Sequence, residues 1–205
     1  MNELKVTQIL KNDLGFSNSS IEKIKKFNNY LLKYNKSYNL ISKSTENNIW
    51  YRHILDSAQI IKFIDFSKIK NLADFGSGAG FPGLIIALYN EKSTFHVKLY
   101  EKSQVKRDFL RDVKNNLNIK NITIENNVYD NEVLADVIVC RAFKKLDEIF
   151  DISREIVKKP HKLIILKGKN AQSEINNVSL DSNYSYKLEK SITDDDSKII
   201  IVEVK

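Results

Sequence analysis

The chain has 205 residues, 42% hydrophobic and 29% charged, with 6 Gly, 2 Pro and a lone cysteine, Cys140. Those numbers describe one globular unit and exclude a disordered chain, a collagen-like repeat, a disulfide scaffold and a membrane-spanning bundle. Net charge is +7, and residues 1–70 hold 12 basic against 6 acidic side chains, so most of the surplus is N-terminal and suits a polyanionic partner. With no apolar leader at Met1–Lys5, the expectation is a cytoplasmic protein that does not meet a membrane.

The first third reads as helices. Leu4, Ile9, Leu10 and Leu14 form a stripe that stops at Gly15. Ser19-Ser20-Ile21-Glu22 has the form of a capping box. Behind it Ile21, Ile24, Phe27, Leu31, Tyr34 and Tyr38 make one amphipathic helix. A third helix, capped by Ser44 or Thr45, carries Ile49, Trp50, Ile54, Ala58 and Ile61.

From about residue 70 the pattern alternates. Strands are expected at Asn71–Phe75, His96–Tyr100, Ile122–Glu125, Ala135–Cys140 and His161–Lys167, with helices at Leu84–Tyr89, Gln104–Leu117 and Leu146–Val157 between them. Such alternation implies right-handed crossovers and a parallel sheet. Tyr184–Ile192 and Lys198–Val204 flank a polar turn and read as an antiparallel hairpin closing one edge. The expected fold is α/β: a mostly parallel Rossmann-like sheet over residues 66–205, under an N-terminal helical cap over residues 1–65.

The strongest local signal is Asp74-Phe75-Gly76-Ser77-Gly78-Ala79-Gly80-Phe81-Pro82-Gly83, which joins a strand to a helix. Gly76, Gly78 and Gly80 allow a sharp turn and a close ligand approach, and the helix start favours an anionic group. Gly78-x-Gly80-x-x-Gly83 also fits a dinucleotide fingerprint. The acid at Asp74 and the tight glycine spacing favour S-adenosylmethionine (SAM), whose ammonium needs an acidic acceptor. Glu101, 25 residues after Gly76 at the end of the next strand, suits a ribose diol. It serves SAM and NAD equally.

Five segments carry a more specific resemblance. They are Tyr38–Ser42, Arg52-His53-Ile54-Leu55-Asp56-Ser57, Asp74–Gly83, Ala135–Phe143 and Leu166–Lys169. In this order they resemble the RsmG family of small-subunit rRNA methyltransferases, also called glucose-inhibited division protein B. The resemblance implies a SAM-dependent enzyme that methylates the 7-nitrogen of guanine 527 in 16S rRNA, on free rRNA or on the small ribosomal subunit. It implies cofactor contacts from Gly76 and Phe81, adenine contacts from Val128 and Tyr129, and Arg141 at the junction of cofactor and substrate. Lys106 and Lys167 match basic positions near the substrate. Asn127 and Tyr129 depart from the family pattern, which commonly has an Arg and an acid there.

The 7-nitrogen already holds a lone pair, so no general base is needed and catalysis rests on positioning and electrostatics. A base displaced from RNA is commonly stacked on an aromatic ring, and Phe143 is the first choice, ahead of Phe81 and Tyr38. His53 reads as a packed, hydrogen-bonded residue. No metal site is expected, and a monomer is. Two alternatives stay open on these residues: an NAD-dependent dehydrogenase, and an RNA-binding module without catalysis.

Overall fold

A computed structural model describes residues 1–89, 95–130, 132–178 and 182–205. Strands β1 (Asn71–Phe75), β2 (His96–Tyr100), β3 (Ile122–Glu125), β4 (Val137–Arg141) and β5 (His161–Lys167) run parallel. The hairpin β6 (Tyr184–Lys190) and β7 (Lys198–Val204) is antiparallel, and β7 lies beside β5, so the order is β3-β2-β1-β4-β5-β7-β6. The chain leaves β1 toward one edge and returns at β4 toward the other. That reversal between β1 and β4 opens a crevice at the carboxyl ends of the strands.

Alternate strand residues face opposite layers. Leu72, Val97, Leu99, Val139 and Ile164 join a core built with the N-terminal helices, α5 (Gly83–Tyr89) and α6 (Gln104–Asn116). Ala73, Phe75, Ile138, Leu163 and Ile165 face α7 (Leu146–Ile156) and α8 (Ala171–Asn176). Each such side chain contributes roughly 1.5–3 kcal/mol on burial. The N-terminal helices thus pack directly on one face of the sheet and overhang its carboxyl edge. Among the described residues no helix is long and apolar enough to cross a membrane.

Several boundaries differ from expectation. Helix α1 (Glu3–Asn12) buries Val6 and Leu10, followed by Leu14, and leaves Leu4 exposed. Helix α2 (Asn18–Tyr38) is capped by Ser17, whose Oγ accepts from the Ser20 amide at 3.0 Å. A cap at Ser17 puts buried Phe16 and Ile21 at the two staple positions, whereas a cap at Ser19 would put Asn18 there. Helix α3 (Lys43–Glu46) follows Ser42, with Thr45 inside it. The expected third helix is an irregular run: π-helix over Trp50–Leu55, α4 (Asp56–Ala58), then a 3-10 turn over Gln59–Phe63. π turns are rare and cluster at functional sites.

Strand β4 includes Arg141 as its last residue, so that side chain is carried by the sheet and not by the loop beyond it. Strand β6 stops at Lys190 because Ser191 and Thr193 turn away to bond Gln59 and Asp56. Helix α8 was not expected. It is short and polar, with only Ala171 and Ile175 buried.

Candidate active site

The loop after β1 is folded by its own backbone. Gly76, Gly78 and Gly80 have φ of +73°, +57° and +101°. The amides of Gly76 and Ser77 donate to the Tyr100 carbonyl, and those of Gly80 and Phe81 donate to Ser77. The Gly78 amide donates to Glu101 Oε2 at 2.8 Å. The amide at the start of α5 is also satisfied from within, since Gly83 donates to Asp74 Oδ2 at 2.9 Å. The group that meets this helix start is therefore the protein's own Asp74 side chain and not a ligand anion.

Asp74 has no exposed surface and lines neither of the two cavities at the carboxyl edge of the sheet, and its Oδ1 has no hydrogen-bond partner among the described residues. Its direct contact with a cofactor ammonium, expected from sequence, is not available in this geometry. Burial raises its pKa to about 7, against the opposing hydrogen bond from the Gly83 amide. The folded protein then holds a proton that the unfolded chain has lost, so stability falls as pH rises from about 4 to about 7. Asp74→Asn can keep the bond from Gly83 and carries no titrating proton. Urea midpoints of this variant should be flatter than wild type across that window; parallel curves would mean Asp74 is ionised throughout.

Two cavities meet at the carboxyl edge of the sheet. The first, about 450 Å³, is walled by the glycine loop, Glu101, Lys106 of α6, Val128 and Tyr129 after β3, and Arg141 at the end of β4 with Ala142 through Lys144 beyond it. It therefore brings together Gly76, Gly78, Phe81, Glu101, Lys106, Val128, Tyr129, Arg141 and Phe143. Gly80 is not on its wall: a Cβ there would lie 3.0 Å from Leu84, so this glycine serves packing. Gly76 serves both, because a Cβ would lie 2.5 Å from Phe143. Glu101, 7% exposed, accepts from Gly78 and Ser103 and so ties the loop to the end of β2.

The second cavity, about 340 Å³, lies between the π-helical run, β5 and the β6–β7 turn. Lys167 lines it, with its ammonium held by Glu174 at 2.7 Å and by the Lys144 carbonyl. Arg141, Ala142 and His53 line both cavities and form their common wall. Ala142 has φ +50°, a strained value for a residue with a Cβ, and such strain gathers at functional sites.

Arg141 is fixed on three sides. Nη1 donates to the Arg52 carbonyl at 2.9 Å and pairs with Asp56 Oδ2 at 3.3 Å, while Nη2 lies 2.7 Å from His53 Nδ1. Its guanidinium sits over Phe81, 5.1 Å from the ring centroid. Phe81 is 3% exposed and packs on Phe27 and His53, so it supports the wall and cannot stack on a displaced base. Tyr38 is 53% exposed and lines neither cavity. Phe143 keeps its place on the wall of the first cavity, against Phe75. Cys140 is buried, and burial raises its thiol pKa, so it offers no nucleophile.

Leu40 and Ile41, which the sequence offered only as part of the Tyr38–Ser42 segment, also line the first cavity. Asn39, at φ +47°, ends α2, and buried Asn35 Oδ1 accepts the Ile41 amide at 2.9 Å. That bond holds both apolar side chains over the crevice. The available sequence signal was Asn39, a residue type that tolerates the left-handed end of a helix, directly before two apolar residues.

Over residues 20–198 the chain matches the GidB family profile, rRNA small subunit methyltransferase G. It belongs to that family. Ribosomal RNA small subunit methyltransferase G of Orientia tsutsugamushi is 36% identical over 188 residues, 92% of each chain. Its namesake in Rickettsia akari is 38% identical over 190 residues, covering 91% of this chain and 95% of that protein. Among solved structures, a SAM-dependent methyltransferase from Aquifex aeolicus superposes with a TM-score of 0.56 at 13% identity, over 72% of this chain and 88% of that one. That likeness concerns the fold. Membership of the GidB family sets aside the dehydrogenase alternative.

Proposed function

We propose that this protein transfers the methyl group of SAM to the 7-nitrogen of guanine 527 in 16S rRNA, and that the two cavities divide the work. The first receives the cofactor and the second admits the base. The observation that carries this reading is their common wall at Arg141, Ala142 and His53. A methyl group passing between two ligands needs two pockets that touch at one place.

The first cavity fits SAM in size and chemistry. Its volume is in the range of small-molecule sites. Gly78 is the loop glycine whose Cβ would meet nothing closer than 3.9 Å, so a ligand can press against its backbone. Glu101 still has lone pairs free to accept ribose hydroxyls. Val128, Tyr129 and Phe143 offer apolar surface to an adenine or a displaced guanine. Gly76 and Arg141, on the same wall, are the residues that would hold the amino-acid end.

The cofactor supplies an electrophilic methyl group on a sulfonium. The chain's own residues bind, orient and exclude water. Arg141 presents a fixed positive charge at the wall and is suited to the guanine 6-oxygen, a phosphate or the cofactor carboxylate. Contact with the 7-nitrogen itself would block attack. Lys106 and Lys144 flank the first cavity, and Arg52, Lys167 and Lys198 flank the second, an arrangement suited to an RNA backbone. On this reading the enzyme works as a monomer in the cytoplasm.

The test is transfer of label from SAM to small subunits or 16S rRNA from cells that lack the endogenous activity, followed by mapping of the modified nucleotide. One 7-methylguanine at position 527 is the expected product. RNA binding and SAM binding without transfer would favour a non-catalytic module, and label at another position would overturn the substrate assignment.

A further inference from the structure

We propose that His53 is a positioning residue for methyl transfer: a neutral imidazole, protonated at Nε2, that holds the Arg141 guanidinium at the wall between the two cavities. This inference rests on the methyltransferase reading and adds a residue to it.

The hydrogen-bond directions leave one assignment. A guanidinium has five N–H donors and no acceptor. His53 Nδ1, 2.7 Å from Arg141 Nη2, must therefore be the acceptor and carry no proton. The ring hydrogen is then on Nε2, which lies 2.8 Å from Thr45 Oγ1. That hydroxyl donates onward to the Ser42 carbonyl at 3.0 Å. Every proton runs one way, from Arg141 through His53 and Thr45 to the backbone.

The ring is fixed as well as bonded. Phe81 stacks against it, 5.1 Å between centroids and 27° between planes, and the same Phe81 lies under Arg141. Three Arg141 donors are committed to Arg52, Asp56 and His53, which leaves two for ligands. The charged groups around the ring are Arg141 on β4 and Arg52 and Asp56 on its own helical run; Asp194 reaches it only through its ion pair with Arg52. Burial, then Arg141 and Arg52, lower the His53 pKa to about 3. A cationic imidazole would face Arg141 with a second proton and break the clamp. The clamp is therefore expected to stay intact at pH 5–8.

Two measurements test this. Imidazole nitrogen chemical shifts of the free protein should show a protonated Nε2 and a bare Nδ1 throughout pH 5–8; a ring that titrates near the ordinary histidine value would overturn the assignment. His53→Ala should lower kcat by about 10- to 100-fold while SAM affinity changes less than about threefold. His53→Asn, whose Oδ1 stands where Nδ1 was, should recover most of that loss, and His53→Gln should not. An Asn variant no better than Ala, or an Ala variant as fast as wild type, rejects the positioning role. If the wild-type protein itself fails to methylate 16S rRNA, the proposed function falls and the role falls with it; the nitrogen shifts then still report whether the clamp forms.

Discussion

Gly83→Val should destabilise the protein by about 3 kcal/mol or more, lowering Tm by roughly 6–12 °C, whereas Gly78→Val should leave it folded and abolish SAM binding. The two glycines share one loop but face different surroundings. A Cβ on Gly83 would lie 2.5 Å from Leu99 Cδ2 and 2.6 Å from the Asp74 carboxylate. Leu99 has no exposed surface, and Asp74 is pinned by the bond from the Gly83 amide, so neither can retreat cheaply. A Cβ on Gly78 meets only the Gly76 carbonyl, at 3.9 Å, and its cost to the fold is the positive φ of +57°, about 1–2 kcal/mol. The added side chain instead occupies space on the cavity wall. Thermal unfolding and SAM titration calorimetry of the pair separate the two effects. Unchanged SAM affinity in Gly78→Val would remove this loop from the binding site, and an unshifted Tm in Gly83→Val would mean that Leu99 and Asp74 can move.

Much of the fold was legible because strand periodicity and glycine spacing are local signals. Strands β1, β2, β3, β5 and β7 stand where alternation and apolar runs placed them. Helix caps were misplaced by two or three residues for local reasons, and the larger misplacements fall where long-range partners decide. β6 ends early because Gln59 and Asp56, more than 130 residues away, take Ser191 and Thr193 out of the strand. The irregular helix over residues 50–63 looks like any amphipathic stripe until Arg141 meets its Arg52 carbonyl.

The site divides in the same way. Glycine spacing pointed to the loop and to Glu101, and the family resemblance to Arg141 and the segment after β3; Gly76, Gly78, Glu101, Val128, Tyr129 and Arg141 all line the first cavity, because a crevice at the strand ends gathers whatever follows each strand. Spacing did not show that the loop amides bond within the protein, or that Asp74 faces away from the cavity. Those facts depend on hydrogen-bond direction. The part played by His53 was half legible: packing and bonding could be read from its motif, but its partner lies 88 residues on in β4.

Arg141→Ala should lower kcat by about 10²- to 10³-fold, the usual consequence of removing a fixed donor from a transition state. It should also destabilise the fold, by about 1–3 kcal/mol, because Asp56 Oδ2 and His53 Nδ1 lose their donor. The stability loss stays moderate because Asp56 Oδ1 keeps its bonds from Thr193 at 2.7 Å and Gln59 at 2.9 Å. Arg141→Lys separates charge from shape. An ammonium can stay near Asp56, but it cannot also hold the Arg52 carbonyl and His53 Nδ1 in the plane of a guanidinium. Stability should therefore return in the Lys variant before activity does. If charge alone drove transfer, the two would return together. Single-turnover rates at saturating SAM, set beside urea midpoints for the same three proteins, distinguish these outcomes. An Ala variant that methylates at the wild-type rate would mean that the methyl group does not pass at the wall the two cavities share.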